Sequence, residues 1–137
     1  MTPEKLRAFL NSLVLEADRD FVVEITEKTY RRRRAVYIHK SKPPVIRIYG
    51  GQDQPALTLI CAGLHELAHH LNHKIHGELW RRMWRNGHSV PRHGPAFRKS
   101  LDALIGQWNF RYRELLRGLI VFDPKRPTRP PRFSPSP

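Results

Sequence analysis

The apolar positions change period along the chain, and each change marks an element. From Pro3 to Ala17, Leu6, Phe9, Leu10, Leu13 and Val14 recur at three- and four-residue steps, the stripe of an amphipathic helix. Thr2, Pro3 and Glu4 make a suitable start for it. Three short runs follow, Phe21–Ile25, Ala35–Ile38 and Val45–Tyr49, rich in β-branched residues and read as strands. The run Arg31–Arg34 falls between the first two, at the expected end of a hairpin. Pro43 and Pro44 separate the second strand from the third, and Gly50-Gly51 closes the third.

The period then returns to that of a helix. Asp53 is placed to cap it and Pro55 falls in its first turn, where a missing N–H does no harm. Leu57, Ile60, Cys61, Leu64, Ala68, Leu71 and Ile75 form its apolar stripe, and Gly77 is a natural stop. A further helix is expected from Gly94-Pro95, with Phe97, Leu101, Leu104, Ile105 and Trp108 inward, and a short one from Phe110 to Leu119. From Asp123 the chain reads DPKRPTRPPRFSPSP, with half of its 12 prolines, the composition of a disordered basic tail. The pattern predicts an α+β domain over residues 1–122: an N-terminal helix, a small three-stranded antiparallel or mixed sheet, a long helix and further C-terminal helices.

Composition narrows the class. At 137 residues the chain suits one packed core, and no apolar run approaches the roughly 20 residues that cross a bilayer. A single cysteine, Cys61, precludes an internal disulfide and a Cys-rich zinc module, which favours the cytoplasm. The formal net charge of +13 adds a preference for polyanions, DNA foremost, and with it an association with a nucleoid or nucleus.

The residues with the most specific chemistry are His65-Glu66-Leu67-Ala68-His69, an H-E-x-x-H motif. On a helix, histidines at i and i+4 project from one face, so two imidazoles reach one zinc ion, and Glu66 flanks them as a general base. Such a site needs a third protein ligand. His73 pairs with His69 only by leaving His65 behind, and His76 lies about 10 Å further along the axis. Glu78 follows the expected helix end too closely to fold back. The metzincin pattern would need Gly and His where Asn72 and Ile75 stand. His93 is the best candidate, 24 positions beyond His69 and directly before the helix opening Gly94-Pro95-Ala96-Phe97.

HELAH followed by His93-Gly94-Pro95-Ala96-Phe97 resembles the SprT-like metallopeptidase family over roughly residues 3–120. The resemblance implies a zincin-like domain with one catalytic zinc ion on His65, His69 and His93. It also implies a zinc endopeptidase with Glu66 as the base, and a protein substrate held on DNA, as in the crosslink-cleaving members. Many members carry a C-terminal zinc ribbon, which one cysteine cannot build. Tyr49 and Tyr112 are weak candidates for stabilising the oxyanion, and the Val45–Tyr49 strand for pairing with an extended substrate.

Arg31, Arg32, Arg33 and Arg34, and the mixture of Trp80 and Trp84 with Arg81, Arg82 and Arg85, suit contact with single- or double-stranded nucleic acid. Solvated turns and rings capping the core account for the same residues. His70 and His73 are expected on solvated helix surface, and Cys61 as a small core residue. Two other readings compete. One is a regulatory protease of the IrrE/ImmA kind cutting a repressor, against which the HGPAF segment counts. The other is a basic nucleic-acid-binding protein on a zincin scaffold, in which Glu66 has no purpose.

Overall fold

The computed structural model describes residues 1–87 and 93–118, with side chains to Asn109. The tail from Asp123 and the Tyr112 side chain lie outside them. The elements are α1 (Pro3–Asn11), a 3-10 turn (Glu16–Asp18), β1 (Val22–Ile25), β2 (Ala35–Ile38), β3 (Val45–Ile48), α2 (Ala56–Arg85) and α3 (Pro95–Gly118). The coarse class is α+β, three helices around a three-stranded mixed sheet.

Thr2 caps α1 as expected, its hydroxyl accepting from Lys5 N. The helix ends six residues short of Ala17. Ser12 donates back to Phe9 O at 2.6 Å, and Arg19 donates to the carbonyls of Asn11 and Val14. These bonds satisfy carbonyls that another helical turn would otherwise have taken.

The sheet order is β1-β3-β2, with β1 parallel and β2 antiparallel to β3. The expected β1–β2 hairpin does not form. After β1 the chain is tied to the end of β3, through Thr26 N to Ile48 O and Gly50 N to Lys28 O, and it descends on β3's far side as β2. Arg31–Arg34 therefore belong to a crossing segment. The expectation that β3 pairs with substrate is also corrected: β3 is central and has both edges occupied. Gly50 and Gly51 close the strand in the left-handed region, at φ +95° and +85°.

The core joins Leu6 and Leu10 of α1, Ile46 and Ile48 of β3, Leu59, Leu64 and Leu67 of α2, and Phe97, Leu101, Leu104 and Trp108 of α3. On α2 the buried face keeps only part of the expected stripe: Leu64 and Ala68 are fully buried, and Ile60 and Leu71 pack against the core. Leu57 and Ile75 are exposed, whereas Leu59, Gly63, Leu67, His70 and Asn72 are buried. This helix is covered by α1, the sheet and α3 from different sides, so burial runs nearly round its first half. Gly63 lets Leu10 approach closely: a Cβ there would stand 3.2 Å from its Cδ1.

Neither expected boundary of α2 holds. Pro55, not Asp53, occupies the cap position. Gly77 lies buried inside the helix, where it leaves room for the His73 ring, and the helix runs on to Arg85. The separate helix expected at Phe110 is the continuation of α3.

Candidate metal centre

His65 and His69 stand one turn apart on α2, and His93 enters from directly before α3. Their Nε2 atoms converge: His93 Nε2 lies 3.2 Å from that of His65 and 3.2 Å from that of His69. One ligand atom from each of the three rings falls within 4.8 Å of the others, and all three residues are half-buried. A ring nitrogen carries a single hydrogen or a single lone pair, so two such short contacts at one nitrogen are not both ordinary hydrogen bonds. A shared cation would fit this spacing: nitrogens about 2.0–2.1 Å from one tetrahedral ion stand roughly 3.3 Å apart. The donor set therefore fits a zinc-class ion. The Phe97 ring packs against all three imidazoles, at centroid distances of 4.9, 4.6 and 4.8 Å, and gives the site an apolar wall.

Burial sets the electrostatics. The His65 imidazole is pushed down to about 4, first by desolvation and then by the neighbouring His93. Glu66, only 7% exposed, is pushed up to about 7 by desolvation, with Arg33 acting in the opposite sense. Desolvation likewise raises the Cys61 thiol to about 11 against the field of Arg34, so Cys61 is held as a neutral thiol. The crossing segment thus brings Arg33 and Arg34 within electrostatic reach of the site helix.

His70 is corrected outright: it is fully buried, not solvated. Its Nδ1 lies 2.7 Å from Tyr37 Oη on β2, and its Nε2 faces Asp18 O at 3.1 Å and Asp20 Oδ1 at 3.2 Å. The Tyr37 hydroxyl is held protonated by burial, with Asp20 adding to the effect. Lys74 joins through Asp20 at 2.8 Å, so one network pins α2 to β2 and the 3-10 turn. His73 is half-buried and stacks on His39, ring centroids 4.4 Å apart. A sequence signal existed: His70 continues the Leu59–Gly63–Leu67 spacing, a second stripe beside the one chosen. Tyr49 is buried and packs edge-on against Tyr30, a core role.

Arg31–Arg34 are all exposed, as are Arg81, Arg82 and Arg85. Trp84 is 49% exposed, and the half-buried Trp80 stacks on His76. Glu78, Arg81, Arg82 and Arg85 line a shallow groove of about 280 Å³. The structure does not merge the two basic groups: Arg33 acts at Glu66, and Arg81 lies on the order of 20 Å further along α2. Among the described residues no helix is long and apolar enough to cross a membrane. No family model, no curated protein and no solved structure matches the chain.

Proposed function

We propose that this chain is a zinc-dependent endopeptidase of the SprT-like kind, acting on proteins associated with DNA. The observation that carries the reading is the convergence of His65, His69 and His93 beside a buried carboxylate on the same helix. Three imidazoles suit zinc, and the bound ion supplies Lewis acidity toward a water and a peptide carbonyl. Glu66 does the proton work. Its carboxylate, desolvated and poised near neutrality, takes a proton from the attacking water and returns it to the leaving amide nitrogen.

The outer edge of β2 is the better element for an extended peptide, since β3 is fully paired. Its first residue, Ala35, follows directly on Arg33 and Arg34, whose fields reach Glu66 and Cys61. A peptide added there runs past the site helix. The DNA part of the reading is supported by the charge of +13 and by Trp84, Arg81, Arg82 and Arg85 on the exposed end of α2, where rings stack bases and guanidiniums meet phosphates.

Metal analysis with a proteolysis assay, with and without single- and double-stranded DNA, tests both parts. The expected result is one zinc per chain, cleavage by the wild type, and faster cleavage with DNA that declines as salt rises. A metal-free protein, or one that binds zinc and cleaves nothing, removes the peptidase reading. Cleavage indifferent to DNA and salt removes only the DNA part.

A further inference from the structure

The third imidazole stands outside any helix, so something must fix where it sits. The first helical bond of α3 runs from Arg98 N to Gly94 O at 3.1 Å, which makes Gly94 the capping residue. Glycine has no side chain to accept from the opening N–H groups. Asn72, on α2 one turn beyond His69, supplies the missing group from another element. It is 1% exposed, and its amide is oriented by three partners. With the amide assigned so that both its atoms meet complementary partners, Oδ1 accepts from Phe97 N at 2.9 Å, while Nδ2 donates to Ser100 Oγ at 2.6 Å and to Ala96 O at 3.1 Å.

We infer that Asn72 is a positioning residue, which caps α3 from α2 and thereby sets the place of the His93 imidazole against His65 and His69. The inference rests on the reading that these three imidazoles hold an ion. His93 precedes Gly94 directly, so its backbone is held only as well as the first turn of α3. That turn is docked on α2 by one buried amide and by the Phe97 ring, which touches all three imidazoles. The amide donates and accepts at once, which neither a carboxylate nor an aliphatic chain of similar size can do.

The test uses the full chain. Zinc affinity is measured by competition with a chelating dye, and the visible spectrum of the cobalt-loaded protein reports the ligand set. Asn72→Leu is expected to lower zinc affinity about 10–100-fold, as partners that orient ligands do, and to change the cobalt spectrum. Asn72→Asp keeps the acceptor for Phe97 N–H and loses the donors, so an intermediate loss is expected; it carries the test if the leucine variant does not fold. In a His93→Ala background either substitution should change affinity less than about threefold, because the ligand it positions is gone.

Equal losses in both backgrounds would show a general structural role and overturn the inference. So would wild-type affinity and spectrum in the folded Asn72 variants. A wild type that binds neither zinc nor cobalt fails earlier, and takes the functional reading down as well.

Discussion

The two halves of α2 have similar ingredients and opposite surroundings. From Leu59 to Asn72 the helix is enclosed by α1, the sheet and α3, and its polar residues are each perturbed or bonded. Glu66 is raised toward neutrality, His70 is held between Tyr37 and Asp20, and Asn72 grips α3. From Ile75 to Arg85 the same helix carries Ile75, Leu79 and Trp84 at 69%, 51% and 49% exposure, among solvated arginines. Burial gives the first half chemistry, because a desolvated carboxylate or imidazole behaves differently from one in water. Exposure fits the second half for contact with a partner, where rings and guanidiniums must be reachable. Under the proposed function the enclosure of Glu66 serves catalysis, and this offsets the stability that a buried carboxylate costs.

Activity should divide along the same line, with the largest effect. Glu66→Gln is expected to lower peptide cleavage by about 100- to 10,000-fold, the usual share of a general base, with zinc content unchanged. Arg81→Ala in the second half should leave cleavage of a short, DNA-free peptide at the wild-type rate. Measured kcat/KM values for the two variants check this. A Glu66→Gln protein that retains activity removes Glu66 from its role.

Stability should follow the division next. Leu67 is fully buried, and Leu67→Ala is expected to cost about 2–5 kcal/mol in urea unfolding of the metal-free protein. Leu79→Ala, at a residue half in water, should stay within about 0.5 kcal/mol of wild type. Equal costs at the two leucines would mean that the second half is covered in solution.

The convergence of the candidate site was partly legible because two of its residues are local. HELAH places two imidazoles on one face through helical spacing alone, and the structure brings His93 to them. The element types were legible for the same reason, as the runs Val22–Ile25, Ala35–Ile38 and Val45–Ile48 and the helical stripes report short-range period. What sequence spacing did not carry is what covers what. The strand order depends on Thr26 and Lys28 pairing with residues around the end of β3, more than 20 positions away. The burial of His70 depends on Tyr37 and the 3-10 turn arriving over it. The helix also runs on past Gly77, whose missing side chain leaves space that the His73 ring, one turn earlier on the same helix, borders. The first two are tertiary contacts that overrode a sound local rule.

Nucleic-acid affinity, under the proposed function, is the next effect down and is expected of the exposed half. Replacing Arg81, Arg82 and Arg85 together with serine should leave zinc content and peptide cleavage intact and weaken binding to single-stranded DNA. If each arginine meets one phosphate, the slope of log affinity against log salt should fall by about 2, at roughly 0.7 per contact. An unchanged slope would move the DNA surface elsewhere, with Arg31–Arg34 the next place to look.

The smallest effect sits at the seam between the halves, where His73 stacks on His39. Both imidazoles are held below their usual range, in each case first by burial. Lys40 and Arg81 add to this at His39, and His39, Arg81 and His70 at His73. With folded pKa values below the unfolded value of about 6.5, the unfolded chain binds more protons in the interval between them. Stability from the stack is therefore fully present above pH 6.5 and is lost as pH falls through the folded pKa values. Urea midpoints of the metal-free protein should drop between pH 7.5 and pH 5, and the drop should be smaller when His39 and His73 are both replaced by glutamine. An equally steep drop in the double variant would assign the acid sensitivity to other groups and leave the stack as packing alone.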